Sequence, residues 1–376
     1  MIYSDFNGKK LSLLGFGAMR LPKLENGEID EPQVRELVRY AMEQGVNYFD
    51  TAYFYHGGAS ETVMGNVLKD YPRESFYLAS KYPGHEVDPE NTDPAAIFED
   101  QLRKCQVEYF DFYLLHNVNE RSMPVYLDQK WGIVDYLKEQ KRLGRIKHLG
   151  FSAHADVPAL EQFLQVYGKD MEFCQIQLNW LDWTLQNAKA KYELLSRWGI
   201  PVFTMESIRG GRLAKLDEAD EAKLKAYRPD ASAASWGFRY LQGLPNVKMI
   251  LSGMSRMSDV QDNVNSFSQP KPLNEAETAL LMEIAEGMKN SVPCTACRYC
   301  CSGCPAQLDI PMLLAAYNEV RFALSPLVRL RMELLPPEQR PDACLACGKC
   351  SHICPQNIDV PAAMADLVEK VRQCPV

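Results

Sequence analysis

Short apolar runs alternate with longer amphipathic stretches from the N-terminus to about residue 270 of this 376-residue chain. The runs at 11–17, 46–52, 76–80, 110–115, 147–152, 173–178, 201–205 and 248–252 are rich in aromatic and aliphatic residues, and most end in a small or polar one. They are the strand candidates. Between them lie helical patterns at 31–44, 60–69, 94–104, 126–143, 157–167, 185–198, 231–241 and 258–264. Eight strand-then-helix units predict an α/β fold with a parallel sheet, and eight is the number that closes a (β/α)8 TIM barrel. A doubly wound open sheet is the alternative topology. Residues 9–14 also read as part of a hairpin plugging the barrel floor, an ambiguity the pattern leaves open.

Beyond the barrel the rhythm changes. Residues 274–289 read as a further helix and Asn290-Ser-Val-Pro293 as a hinge. The expected domains are a barrel over 1–272, a helix and linker over 273–293, and a small domain over 294–376. An apolar helical stretch, 311–324, lies within that last segment. Arg329, Arg331 and Arg340 follow it, as a solvated face or as a docking patch for an acidic redox partner protein.

Composition narrows the function classes. The length suffices for one large domain and a small one. A net charge of −8 argues against a general nucleic-acid binder, which needs a basic face to neutralise phosphates. No apolar run reaches the length of a membrane span, and the first ten residues hold no apolar signal core. A cytoplasmic protein with no membrane partner is the economical expectation.

The C-terminal segment carries the strongest chemical signal. Cys294, Cys297, Cys300 and Cys304-Pro305 are spaced C-x2-C-x2-C-x3-C-P, and Cys344, Cys347, Cys350 and Cys354-Pro355 repeat that spacing. Thiolates so spaced can wrap the corners of a 4Fe-4S cube, and in two-cluster ferredoxins the fourth cysteine of each run serves the other cluster. One cluster is therefore expected on Cys294, Cys297, Cys300 and Cys354, and a second on Cys344, Cys347, Cys350 and Cys304. Zinc is the competing metal, since C-x2-C pairs also build zinc ribbons. Cys301 competes with Cys300 as a ligand; the second run has no such neighbour, which supports Cys300. The remaining cysteines, Cys105, Cys174 and Cys374, show no framework spacing.

In a (β/α) barrel, reactive groups gather at the C-terminal ends of the strands. Asp50 and Tyr55 follow the second predicted strand, Lys81 ends the third and His116 the fourth. Singly, each has a bland role as helix cap, loop aromatic, solvated lysine or strand-end polar residue. Together, on three consecutive strand ends, they outweigh those bland roles.

Phe49-Asp-Thr-Ala-Tyr-Phe-Tyr55, Ala79-Ser-Lys81 and Leu114-Leu-His116 resemble, in order and spacing, the Asp–Tyr–Lys–His tetrad of the aldo-keto reductases. The resemblance covers about residues 9–270 and, with the cysteine repeats, extends to the bacterial subgroup fused to a ferredoxin-like iron–sulfur domain. It implies a TIM barrel and reduction of a small-molecule carbonyl substrate by a nicotinamide hydride, from NADP or NAD. It implies Tyr55 as the general acid, with Tyr53 as the competing acid; a phenol with a pKa of about 10 donates poorly unless its anion is stabilised. Lys81 is then expected to lower the pKa of Tyr55, with Asp50 holding Lys81 charged and His116 aligning the substrate oxygen. It also implies a cofactor cradle. Ser152 and Gln175 fall where the family holds the carboxamide, although the family's asparagine is Ala153 here, beside His154. The loop Glu206-Ser-Ile-Arg-Gly210-Gly211 is similar to the family's pyrophosphate loop. Gly253 and Arg256 belong to the segment similar to the adenosine site, where Asp259 stands in place of a common arginine.

Hydride carries two electrons and a 4Fe-4S cluster one, so a relay between them needs a converter such as a flavin, for which no motif is visible. Three readings follow. The first is a carbonyl reductase with a structural or redox-sensing cluster module. The second is a ferredoxin-coupled reductase whose clusters feed a barrel-bound cofactor or substrate. The third is a non-catalytic nicotinamide sensor that docks a partner. Trp131, Trp180, Trp183, Tyr53 and Phe54 are candidate walls for an apolar substrate, or simply loop packing.

Overall fold

The computed structural model describes residues 1–288, 292–322, 324 and 326–374. Part of the expected linker, 289–291, and residue 323 of the expected 311–324 helix lie outside the described residues. The chain divides into two compact units, Met1–Leu281 and Met282–Val376.

The first unit is a closed barrel of eight parallel strands, β3 (Leu14–Gly17), β4 (Tyr48–Asp50), β5 (Tyr77–Tyr82), β6 (Phe110–Val118), β7 (Ile146–Ala153), β8 (Cys174–Gln177), β9 (Val202–Met205) and β10 (Val247–Ser252). The closing pair is β10 with β3. β1 (Tyr3–Phe6) and β2 (Lys9–Ser12) form a separate antiparallel hairpin. The predicted first strand, 11–17, is thus two strands. Asn47 divides them: its Oδ1 accepts from Ser12 N–H at 2.7 Å, and its own N–H donates to Ser12 Oγ at 3.0 Å. The hairpin sends Phe6 into the barrel, 5.4 Å from Phe112 and 5.6 Å from Phe203 between ring centres. The floor is plugged.

Strand periodicity then sets up the site. Tyr48, Ala79, Phe112, Leu114 and Phe173 share one buried core cluster, so alternate positions on their strands point inward. Asp50, Lys81, His116 and Gln175 share that parity and lie towards the C-terminal ends. Gly150 lets the core close here, because a Cβ would come within 2.5 Å of Phe173.

Helices surround the strands. The predicted helix 126–143 is broken into Met123–Leu127, a short turn Gln129–Trp131 and Ile133–Arg142, with Gly132 at φ 60° between the last two. The predicted helix 185–198 is likewise split, at Asn187 with φ 50°, into Asp182–Leu185 and Ala188–Arg197. A helix at Glu218–Tyr227, capped by Asp217, is one the sequence pattern did not indicate.

The second unit repeats one motif. Helices Tyr299–Ser302 and Ile310–Phe322 follow the first cysteine run; Lys349–Ile353 and Val360–Gln373 follow the second. Left-handed residues match between the runs: Ala296 and Ala346 (φ 54° and 52°), Arg298 and Gly348 (69° and 75°), Gln307 and Asn357 (51° and 52°). The two long helices pack through a core that includes Leu313, Leu314, Ala363, Met364 and Leu367.

Candidate active site and cluster sites

At the C-terminal end of the barrel, Lys81 Nζ donates to Asp50 Oδ1 at 2.6 Å and to the Thr51 carbonyl at 2.7 Å. The Lys81 and Asp50 side chains are 1% and 5% exposed. Burial pushes the Asp50 carboxyl up, opposed by Lys81, and pushes the Lys81 ammonium down, opposed by Asp50. Tyr55 lies with its ring centre 4.8 Å from Lys81 Nζ and 5.8 Å from the His116 ring. The four residues come together as the sequence implies.

The electrostatics differ from expectation. The Tyr55 phenol has a net shift upward, not down. Burial raises it well above its usual value, and the carboxylates of Asp50, Glu206 and Glu86 raise it further, with Arg20 opposing. The ammonium nearest the ring is already matched by Asp50, so carboxylates and desolvation prevail. His116 is held far below its ordinary value by burial, then by His85, Lys81 and His154. Its ring is neutral at neutral pH. Tyr53, the competing acid, is half-buried, stacks edge-on with Phe54 at 4.9 Å, and lies under Lys104 Nζ at 4.0 Å.

Around these four stand the cradle residues. Ser152 Oγ accepts from the Asn117 N–H at 2.8 Å. Gln175 is 3% exposed and its Oε1 has no hydrogen-bond partner among the described residues. That is an uncommon state for a buried amide, and a carboxamide N–H would relieve it. In the loop after β9, Glu206, Arg209, Gly210 and Gly211 all have positive φ (54°, 49°, 63° and 90°). The Arg209 N–H donates to the Glu206 carbonyl at 2.9 Å and the Gly211 N–H to the Ile208 carbonyl at 3.1 Å, while the paired glycines leave the backbone open to close approach. Arg20 pairs with Glu206 at 3.3 Å. Gly253 gives Arg20 its room, since a Cβ there would stand 3.0 Å from Arg20 Cβ. Arg256 is exposed and paired with Asp259 at 2.8 Å.

Sequence reasoning missed several groups at this end: Arg20, His85, Glu86, and the fully buried pair Arg209–Asp182 at 3.2 Å. Arg20 and His85 each follow a strand end by three residues, and that position was the available signal. Of the candidate walls, Trp180 is buried, while Trp183 packs against Tyr192 and Tyr240.

In the second unit, Cys294, Cys297, Cys300 and Cys354 line one small cavity, with Leu314 and Ile358. Cys304, Cys344, Cys347 and Cys350 line another, with Leu308 and Met364. Each cavity draws three cysteines from one run and the fourth from the other. Cys300, not Cys301, faces the first. Among the described residues no group of three or more His, Cys, Asp or Glu side chains could hold a single metal ion. Each cavity is lined by four cysteines, the number of thiolates a 4Fe-4S cluster takes. The three arginines are engaged internally: Arg329 with Glu333 and the Cys374 carbonyl, Arg331 with Glu319, and Arg340 with the Leu335 and Glu333 carbonyls.

A plugged TIM barrel with an Asp–Lys pair, a phenol and a neutral imidazole at its C-terminal mouth, followed by a paired-cysteine module, defines a class of oxidoreductase. Residues 13–286 match the aldo/keto reductase family and residues 293–358 a 4Fe-4S dicluster domain. The chain belongs to the aldo/keto reductase family. It is 24% identical over 309 residues to the NADH-specific methylglyoxal reductase of Escherichia coli, covering 70% of this chain and 91% of that one. It is 28% identical over 184 residues to the probable aldo-keto reductase 1 of Glycine max, covering 47% of this chain and spanning 50% of that relative's length. Among solved structures, the holo form of aldo-keto reductase AKR11C1 from Bacillus halodurans matches 76% of this chain and 96% of its own, with a TM-score of 0.59 and 25% identity. No helix among the described residues is long and apolar enough to cross a membrane.

Proposed function

We propose that the barrel reduces a small aldehyde or ketone to the alcohol with a nicotinamide hydride, and that the second unit holds two 4Fe-4S clusters. The observation that carries the reading is the buried Asp50–Lys81 pair beside Tyr55 and His116, within a mouth that also presents the unpartnered Gln175 Oε1.

Ser152 and Gln175 would hold the carboxamide, the 206–211 loop the pyrophosphate, and Gly253 and Arg256 the adenosine end. When bound, the nicotinamide supplies hydride to the carbonyl carbon. The protein supplies the proton and the alignment. His116, neutral, donates a hydrogen bond to the substrate oxygen. Tyr55 remains protonated until negative charge develops on that oxygen, then gives up its proton. Lys81, pinned by Asp50 and Thr51, supports the phenolate so formed. The Arg256–Asp259 pair presents a carboxylate beside the single nearby cation of that segment, which favours NADH over the additional phosphate of NADPH.

Turnover of 4-nitrobenzaldehyde and methylglyoxal with NADH tests the reading, with Tyr55→Phe as the control. The variant should lose at least about 100-fold in kcat, the scale of general acid catalysis, while retaining NADH binding. Full turnover by Tyr55→Phe would end the assignment.

A further inference from the structure

Three histidines converge on one side of the mouth from successive strand ends: His85 after β5, His116 in β6 and His154 after β7. The His85 and His116 rings meet edge-on with centres 4.5 Å apart, and His116 meets Tyr55 the same way at 5.8 Å. The His85 side chain and His116 are each 7% exposed. Nδ1 of His116 and both ring nitrogens of His85 are buried without a hydrogen bond. His85 Nε2 lies 3.2 Å from Glu86 Oε1, off the line of a hydrogen bond, and the Glu86 side chain is 20% exposed. Burying three polar nitrogens with no protein partner is costly, and an apolar side chain would fill the same space without that cost.

The placement is built into the fold. Gly84 lacks the Cβ that would stand 2.6 Å from the Tyr126 ring, and the Tyr126 hydroxyl donates to the His116 carbonyl at 2.7 Å. The loop carrying His85 is thereby held against the end of β6. On the other side of Tyr55 the way is closed, because the Lys81–Asp50 pair is buried and bonded inward.

We propose that His85 and Glu86 form the outer part of a proton path that runs through His116 and restores the proton of Tyr55 after each reduction. The inference rests on the carbonyl-reductase reading. The reduction breaks the Tyr55 O–H bond as the substrate oxygen gains a proton, leaving a phenolate. His116 gives a ring proton to the phenolate and takes one at its other nitrogen from His85. His85 is replenished from the Glu86 side, where solvent supplies the proton. Each ring gives one proton and takes one, nothing is oxidised or reduced, and water bridges gaps too long for direct transfer. The neutral state of His116 suits this, with one N–H and one lone pair per ring. The charged and titratable groups around the path are His85, Lys81 and His154 near His116, and Asp50, Glu206, Glu86 and Arg20 near Tyr55. His154, held down to about 3 by burial, then by Lys191 and His85, stays neutral beside it.

The test is His85→Phe in the full-length, cluster-loaded protein, turning over 4-nitrobenzaldehyde with NADH. The expected result is a fall in kcat of about 10-fold or more, the lower end of proton-transfer effects, with KM little changed. Imidazole added to the buffer should restore a second variant, His85→Ala, whose truncation leaves room for it, and leave the wild type unaffected. Glu86→Gln should slow turnover in the same sense and shift the pH profile of kcat. Unchanged kcat in His85→Phe, or a loss in His85→Ala that imidazole does not restore and that KM follows, overturns the path. An inactive Tyr55→Phe beside an unaffected His85→Phe removes the path alone. A wild type that does not turn over the aldehyde, or a fully active Tyr55→Phe, removes the carbonyl-reductase reading and the path with it.

Discussion

His56 shows how a single residue ties the site loop to pH. Its Nε2 accepts the Leu21 N–H at 3.1 Å, and burial, then Lys23, holds its pKa down to about 4 from an ordinary 6.5. Between those values the unfolded chain binds a proton that the folded chain excludes, so stability rises with pH across the window and falls on acidification. The urea midpoint should therefore drop from pH 6.5 towards pH 4.5, and His56→Gln should flatten that slope; an unchanged slope would remove His56 as a cause. Residue types were legible from order and spacing: Asp50, Tyr55, Lys81 and His116 were found without coordinates. The direction of the Tyr55 shift was not. It depends on burial and on Glu206 and Glu86, carboxylates brought close by separate loops.

Among the elements, the plug hairpin has the clearest energetic role. Phe6 is 2% exposed and meets Phe112, Phe173, Phe203 and His148 at ring-centre distances of 5.1–6.1 Å. Phe6→Ala should cost about 3–5 kcal/mol, as large-to-small core changes do, read as a lower urea midpoint of the barrel. The tetrad lies at the opposite end, so kcat should stay near wild type under native conditions. Apolar runs located all eight barrel strands, because a buried strand must be apolar wherever the chain places it. The breaks at Gly132 and Asn187 were less visible. Left-handed backbone at those points interrupts helices whose apolar spacing continues across the gap.

At the scale of the whole molecule, the crossed cysteine sets lead to a specific outcome. Cys354→Ser should release the cluster held by the first run, and Cys304→Ser that of the second, although each cysteine sits in the opposite run. Iron analysis should show a loss of about four irons in each case, with Cys301→Ser retaining the full complement. Loss of the same cluster in both variants would contradict the crossed arrangement. Hydride arrives as an electron pair and each cluster takes one electron. We therefore expect anaerobic NADH to leave the visible cluster absorbance unchanged while dithionite bleaches it. Bleaching by NADH would favour the ferredoxin-coupled reading.

The sequence by itself determined the number and order of the barrel strands and located Asp50, Tyr55, Lys81, His116 and the two cysteine runs, because these follow from periodicity and from fixed spacings. Tertiary structure alone decided which way Tyr55 is shifted. It also decided that the three arginines are spent internally and that His85 and Glu86 stand behind His116. The physical reason is the same in each case. Burial, left-handed turns and contacts between loops distant in sequence depend on where the chain returns, and local pattern carries little record of that.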